Sequence, residues 1–258
     1  MELKVHAKTD VGKKREINED SFGMVQEKNL YFVCDGMGGH AAGDLASRTA
    51  VETIREHIHS CEHDEYMILH TGIEEQLPEK AVYLVESIRL ANRRLFNLAV
   101  EHPALRGMGT TIASILLDGR SAYIAHVGDS RVYRLRGNDL QQMTQDHSWV
   151  NELLEDREIT EEEARDFKQK NVITRALGTR PSVKVDLRIE EVVEGDYFLL
   201  CSDGLTGAVP DERIKEIILS VQENLEEAAS KLIHAANQAG GPDNITVLLV
   251  KVVKPDDT

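Results

Sequence analysis

Three aspartates at the ends of apolar runs are the residues whose types and spacing point to chemistry. Val33-Cys34-Asp35-Gly36-Met37-Gly38-Gly39-His40 and Leu200-Cys201-Ser202-Asp203-Gly204-Leu205 each read as a buried strand that stops at an aspartate followed by glycine. Gly240-Gly241-Pro242-Asp243-Asn244-Ile245-Thr246-Val247 sets a third aspartate in a tight turn before another apolar run. Strand ends can converge three carboxylates on one point. Like charges gather there only around a cation, so the pattern points to a divalent metal site. Asp-Gly is also a common turn dipeptide, and Asp118-Gly119, between β-rich runs at 110–117 and 121–127, reads as a plain hairpin turn. The other motifs stand apart by occurring together and by the glycine-rich, histidine-bearing context of the first.

Several chemistries are excluded. A Cys-x5-Arg phosphatase needs an arginine six residues after its cysteine, and those positions hold His40, Met67 and Gly207. The chain has no Asp-x-Asp pair, no Walker A loop and no HExxH. Cys34, Cys61 and Cys201 form no CxxC pair, which argues against structural zinc. An odd cysteine count without a signal peptide favours a reducing cytoplasm, and Cys34 and Cys201 read as small core residues. All-oxygen ligands favour Mg²⁺ or Mn²⁺ over zinc. Gly36 to Gly39 follow a strand and precede a helix, so their amides are placed to help bind an anion.

The elements that must position these residues follow from pattern. The 258 residues are 41% hydrophobic and 29% charged, a globular composition with length for a large core. The net charge of −15 repels nucleic acid and anionic membrane, so neither is an expected partner. No apolar stretch approaches the roughly 18 residues of a membrane span. β-branched and aromatic runs predict strands at about 3–9, 22–26, 30–34, 110–117, 121–127, 131–135, 183–189, 197–201 and 245–253. Across 80–101, Ala81, Leu84, Val85, Ile88, Ala91, Leu95, Leu98 and Ala99 recur at helical spacing. Further helices are expected at 43–59, 211–221 and 225–239. Short turns between consecutive strands imply antiparallel sheets, and helix pairs between strand groups imply an α+β sandwich of two sheets with helices outside. With no linker, residues 1–258 read as one domain. Residues 146–171, rich in acid, read as a helical excursion or flap in which Thr160 and Glu163 form a capping box.

Seven motifs occur in order: Arg15-Glu16-Ile17-Asn18-Glu19-Asp20, Asp35-Gly36-Met37-Gly38-Gly39-His40, Gly107-Met108-Gly109-Thr110-Thr111, Ala125-His126-Val127-Gly128-Asp129-Ser130-Arg131, Thr174-Arg175-Ala176-Leu177-Gly178, Ser202-Asp203-Gly204-Leu205 and Gly241-Pro242-Asp243-Asn244. Together they resemble the metal-dependent Ser/Thr protein phosphatases, type 2C, in their compact bacterial branch, over nearly the whole chain. The resemblance implies a four-layer α-β-β-α sandwich with two Mn²⁺ or Mg²⁺ ions in the cleft between the sheets. Asp35 would bridge both ions, the Gly36 carbonyl would bind one, and Asp203 and Asp243 the other. Glu19 and Asp20 would hold metal-bound waters, and Asp129 with Asp203 a third, weaker ion. Arg15 would grip the substrate phosphate, and 146–171 would be the family's variable flap. Some relatives use a histidine directly after the Asp-Gly as general acid. Met37 stands there in this chain and the histidine comes later, so a metal-bound water or His40 would protonate the leaving group.

The resemblance further implies a cytoplasmic monomer that dephosphorylates phosphoserine and phosphothreonine proteins in signal transduction, a bacterial Ser/Thr kinase and its targets among them. A hydroxide shared by the two ions would attack phosphorus in line, without a phosphoenzyme. Two other readings fit clustered carboxylates or the fold: a dinuclear phosphodiesterase, and a catalytically weak signalling module that binds a partner.

Overall fold

A computed structural model of the chain describes residues 1–38, 42–60, 77–157, 159–160, 163, 172–221 and 223–255. His40, Cys61 and most of the second half of the expected flap lie outside the described residues. The elements run β1 (Glu2–Asp10), β2 (Asp20–Val25), β3 (Leu30–Met37), α1 (Ala42–Ser60), α2 (Glu79–Glu101), β4 (Gly109–Thr110), β5 (Ile112–Asp118), β6 (Ser121–Val127), β7 (Arg131–Arg136), β8 (Asp139–Gln142), α3 (Trp149–Glu155), β9 (Asp186–Glu191), β10 (Tyr197–Cys201), α4 (Asp203–Thr206), α5 (Asp211–Val221), α6 (Leu225–Gln238) and β11 (Ile245–Lys254).

Every strand pair is antiparallel among the described residues. One sheet has the order β1-β11-β10-β7-β8; the other has β2-β3-β5-β6-β9, with β4 attached to β3. The central strands read as unbroken apolar runs because both of their faces are buried. Along β3, Tyr31 and Val33 point between the sheets, where they meet Phe198, Leu200, Leu248 and Val250. Phe32 and Cys34 point the other way, onto Ala46, Ile54, Leu84 and Ile88 of α1 and α2. On the far side, Leu199, Cys201 and Leu249 pack against Ile214, Ile218, Leu232 and Ile233 of α5 and α6. Three apolar layers thus alternate with four structural ones, the α-β-β-α sandwich expected from the sequence.

Local signals act where expected. The side chain of Asn224 accepts the Glu227 N–H at 3.1 Å at the start of α6. Glu163 Oε2 accepts the Thr160 N–H at 2.8 Å, and Thr160 Oγ1 accepts the Glu163 N–H at 3.3 Å, so the capping box forms. Some boundaries move: β3 runs past Asp35 to Met37, the run expected at 110–117 divides into β4 and β5, and the strand expected from 183 pairs only from Asp186, because Val183 and Val185 pack on the helix-side core without joining the sheet. No helix among the described residues is long and apolar enough to cross a membrane.

Candidate metal centre

The register of β2 on β3 sets Asp20 directly opposite Asp35. Opposed like charges destabilise a sheet, so this pairing makes sense only with a cation to share. The backbone at Asp35 is locked by its neighbours. Its N–H donates to Thr111 Oγ1 at 3.0 Å, and its carbonyl accepts the Thr111 N–H and the Thr110 hydroxyl, each at 2.8 Å. Gly36 then passes through a space that admits no side chain. A Cβ there would stand 2.1 Å from the Gly43 carbonyl oxygen and 2.6 Å from that of Glu19. The end of β3, the start of α1 and the Glu19 loop therefore close on one another at this residue.

Two elements of the other sheet deliver the remaining acids. Asp203 is the first residue of α4, straight after β10. Beside it, Ser202 Oγ donates to Asp20 Oδ2 at 2.7 Å and accepts the Thr246 N–H at 3.0 Å, stitching the two sheets together. Asp243 precedes β11, and its Oδ1 accepts the Asn244 N–H at 2.8 Å. Asp129 lies buried in the turn from β6 to β7.

The carboxyls feel one another. Burial, and then the charges of Asp20, Asp203, Asp129 and Asp243, hold the Asp35 carboxyl far above the usual range. Asp203 is pushed up by burial and by Asp243, and lies within hydrogen-bonding reach of Asp35. Burial pushes Asp20 up to about 7, against the hydrogen bonds it accepts from Ser202 and Thr246. Burial and the charge of Asp203 push Asp129 up to about 7 as well. Burial also raises Glu19. Glu19 Oε1, Asp20 Oδ1 and Asp129 Oδ1 are sealed from solvent with no hydrogen-bond partner among the described residues. Orphaned, mutually repelling carboxylate oxygens beside the Gly36 carbonyl form a donor set that fits hard divalent cations.

Arg15 supplies positive charge at the rim. Its guanidinium Nη2 donates to Asp243 Oδ2 at 2.8 Å while the side chain stays half exposed. Asn244, the last residue of the seventh motif, ties the neighbouring loop together. Its Nδ2 donates to the Val11 and Ile17 carbonyls, each at 3.0 Å, and its Oδ1 accepts the Glu19 N–H at 2.8 Å. One buried side chain thus shapes the whole loop that presents Arg15 and Glu19. The structure gathers Arg15, Glu19, Asp20, Asp35, Gly36, Asp129, Asp203 and Asp243; His40 lies outside the described residues. A cavity of about 430 Å³ opens over Asp129, Asp203 and Asp243, with Val150 and Leu154 of α3 on its wall.

A second network escapes the sequence. His147 is buried at the entry to the flap. Its Nδ1 accepts the Gly128 N–H at 3.0 Å, its own N–H donates to the Gly128 carbonyl at 2.9 Å, and its carbonyl accepts the Thr174 N–H at 2.9 Å. That fixes the ring proton on Nε2, 3.2 Å from Asp186 Oδ2. His126 stacks on it with ring centroids 4.6 Å apart. Gly128 needs its φ of +107° to make this turn, and the next residue is Asp129. His126, His147 and Asp186 are close enough to suggest a metal trio. Arg175 Nη1 already donates to Asp186 Oδ1 at 2.8 Å, so a guanidinium neutralises the carboxylate that a cation would need. His126 and Arg175 fall inside two of the seven motifs, but nothing in the sequence tied them to His147 or Asp186.

Comparison with known proteins agrees with the geometry. The sequence model of the protein phosphatase 2C family matches residues 11–239. The chain is 40% identical over 247 residues to the serine/threonine phosphatase stp of Listeria welshimeri, covering 95% of this chain and 94% of that one. It superposes on the Mycobacterium tuberculosis serine/threonine phosphatase PstP/Ppp with a TM-score of 0.85 at 35% identity, over 98% of this chain and 99% of the other. It also matches the catalytic domain of PstP in complex with two manganese ions, with a TM-score of 0.82 at 35% identity, over 98% and 99% of the two chains.

Proposed function

We propose, from the premise that this chain belongs to the protein phosphatase 2C family, that it is a metal-dependent protein serine/threonine phosphatase that hydrolyses phosphomonoesters directly, with no phosphoenzyme. The observation that carries this reading is the convergence of Asp35, Asp203 and Asp243 beside three buried carboxylate oxygens that have no hydrogen-bond donor among the described residues. Asp35, the Gly36 carbonyl, Asp203 and Asp243 would hold two Mn²⁺ or Mg²⁺ ions. Glu19 and Asp20 would orient water around them, and Asp129 with Asp203 would hold a weaker third ion. When bound, the ions supply a water acidic enough for attack near neutral pH and positive charge for the phosphoryl oxygens.

The chain's own residues do the rest. Arg15 turns its guanidinium from Asp243 to the incoming phosphate, where two parallel N–H donors fit a dianion. His40 is the candidate proton donor to the leaving serine or threonine oxygen. Among the described residues no cysteine is fit to be the nucleophile: Cys34 and Cys201 are buried in the core, and burial pushes the Cys201 thiol up to about 12 and Cys34 higher still. We read the substrates as phosphoserine and phosphothreonine proteins, a kinase and its targets among them, met by a cytoplasmic monomer in which α3, at the start of the expected flap, borders the cleft.

Hydrolysis of p-nitrophenyl phosphate and of a phosphothreonine peptide tests this. Turnover is expected only with added Mn²⁺ or Mg²⁺, is lost in EDTA, and greatly exceeds turnover of bis(p-nitrophenyl) phosphate. Full activity in chelator, or preference for the diester, would overturn it.

A further inference from the structure

The chain carries a net charge of −15, yet one cavity of about 550 Å³ is walled by Arg175, Arg180 and Lys184 with the hydroxyls of Thr179 and Ser182. Glu152 is the one acid on its wall among the described residues. Asp186, outside the wall, takes Arg175 at 2.8 Å and Lys184 at 3.6 Å. The Arg180 guanidinium has no ion-pair partner among the described residues. Local charge therefore runs opposite to that of the whole molecule.

This wall is held rigid from within. Asn92, only 1% exposed, donates to the Arg180 carbonyl at 3.1 Å and accepts the Gly178 N–H at 2.9 Å. Thr179 Oγ1 closes the turn on the Ala176 carbonyl at 3.0 Å. The same turn adjoins the metal centre. Leu177 and Thr110 exchange two backbone hydrogen bonds, at 2.8 and 3.1 Å, and Thr110 Oγ1 holds the Asp35 carbonyl. Thr179 Cγ2 stands 3.1 Å from the site of a Cβ on Gly109, which pairs with Met37. Only the thin β4 strand separates the basic cavity from Asp35 and Gly36.

We infer that this pocket receives acidic side chains flanking the phosphorylated residue of a protein substrate. The inference rests on the phosphoprotein reading above and names the substrate class within it. A polypeptide bound with its phosphate at the metals must lay its neighbouring residues along the cleft walls. The charged lining of the cavity over the metal centre is Asp129, Asp146, Asp203 and Asp243 with Arg131, a mainly acidic surface that disfavours carboxylates and second phosphates. At Arg180 and Lys184 the sign is reversed, and the Ser182 hydroxyl adds a hydrogen-bond donor suited to carboxylate or phosphate oxygens. The pocket thus favours peptides whose flanks carry Asp, Glu or another phosphorylated residue.

The test compares three substrates on the Mn²⁺-loaded enzyme: p-nitrophenyl phosphate, a phosphothreonine peptide with neutral flanks, and the same peptide with Asp and Glu flanks. We expect kcat/KM for the acidic peptide to exceed that for the neutral one by about tenfold at low salt, from two or three partly exposed ion pairs, and the margin to shrink in high salt. The double variant R180E/K184E should erase the margin and leave p-nitrophenyl phosphate, too small to reach the pocket, within about twofold of wild type. The neutral double variant R180Q/K184Q should erase most of it too, which guards against misfolding by charge reversal. Equal rates for the two peptides in wild type, or a margin that survives in R180Q/K184Q, would overturn the pocket. Turnover of p-nitrophenyl phosphate with neither phosphopeptide cleaved would instead overturn the phosphoprotein reading, and the pocket with it.

Discussion

Arg15 and Asp243 form an ion pair that substrate and metal are each placed to dissolve. The guanidinium is exposed enough to swing to a phosphate, and Asp243 is one of the acids whose charge a divalent ion would neutralise. Replacing Arg15 by Ala should raise KM for p-nitrophenyl phosphate by about tenfold with a smaller loss in kcat, because the fork binds phosphate in ground and transition states alike. Lys at this position should recover part of the loss, since it restores charge without the bidentate geometry. Asp35→Asn, Asp203→Asn and Asp243→Asn should each cost about 100-fold or more in kcat by removing a ligand from the shared centre. Steady-state kinetics would check all of these, and unchanged KM and kcat in Arg15→Ala would remove it from phosphate binding. Asp35, Asp203 and Asp243 were legible in the sequence because each adjoins an apolar run in a glycine-bearing turn, whereas Arg15 was reached only through the resemblance. His147 and Asp186 were not legible. They meet from 39 positions apart, and each alone is an ordinary histidine or aspartate in a polar stretch.

Among the elements, the turn from β6 to β7 and the two ends of the flap are held by the same ring. His147 binds Gly128 through side chain and backbone, Ser148 pairs with Ile173, and the Trp149 N–H donates to the Val172 carbonyl at 2.9 Å. Burial, with the charges of His126 and Arg175, pushes the His147 pKa down to about 4, so the ring stays neutral and keeps its acceptor at Nδ1 near neutral pH. Because the folded pKa lies below the unfolded value, this contribution is full above about pH 6.5 and is lost as pH falls toward 4. His147→Ala should cost about 1–3 kcal/mol of stability by leaving the Gly128 N–H without its acceptor. It should also loosen Asp129, so that calorimetry shows the weak Mn²⁺ event reduced while the tight events remain. Loss of tight binding, or no change in either melting or titration, would contradict this. The helices and central strands were readable because apolar period and length agree there. β8, with the polar sequence Asp139-Leu140-Gln141-Gln142, is set by pairing with β7, and the two-residue β4 is set by its bond to β3. Tertiary partners, which a local pattern does not contain, decide both.

For the whole molecule, the buried carboxyls make folding, protonation and metal binding one equilibrium. Asp20 and Asp129 hold protons up to about pH 7 in the folded chain, whereas unfolded aspartates release them near about 3.9. Between those values the native state binds more protons than the unfolded state, so the cluster's contribution to stability falls as pH rises through that window. A divalent cation reverses this: it displaces the protons and neutralises the carboxylates, and so stabilises most where the metal-free fold is weakest. His147 slopes the opposite way below about pH 6.5, so a raw melting profile mixes the two. The difference between melts with Mn²⁺ and with EDTA cancels the histidine part, because His147 is engaged by Arg175 and Asp186 and leaves the metal to the aspartates. The Mn²⁺-induced rise in Tm should therefore be larger at about pH 7.5 than at about pH 5.5, by about 5 °C or more for a chain of this size. Calorimetric titration at about pH 6.5 in buffers of different ionisation enthalpy should show roughly one or two protons released on Mn²⁺ binding. An equal Tm rise at both pH values, with no proton release, would mean that the carboxyls are already ionised in the metal-free fold and that the cluster is held open by other charges.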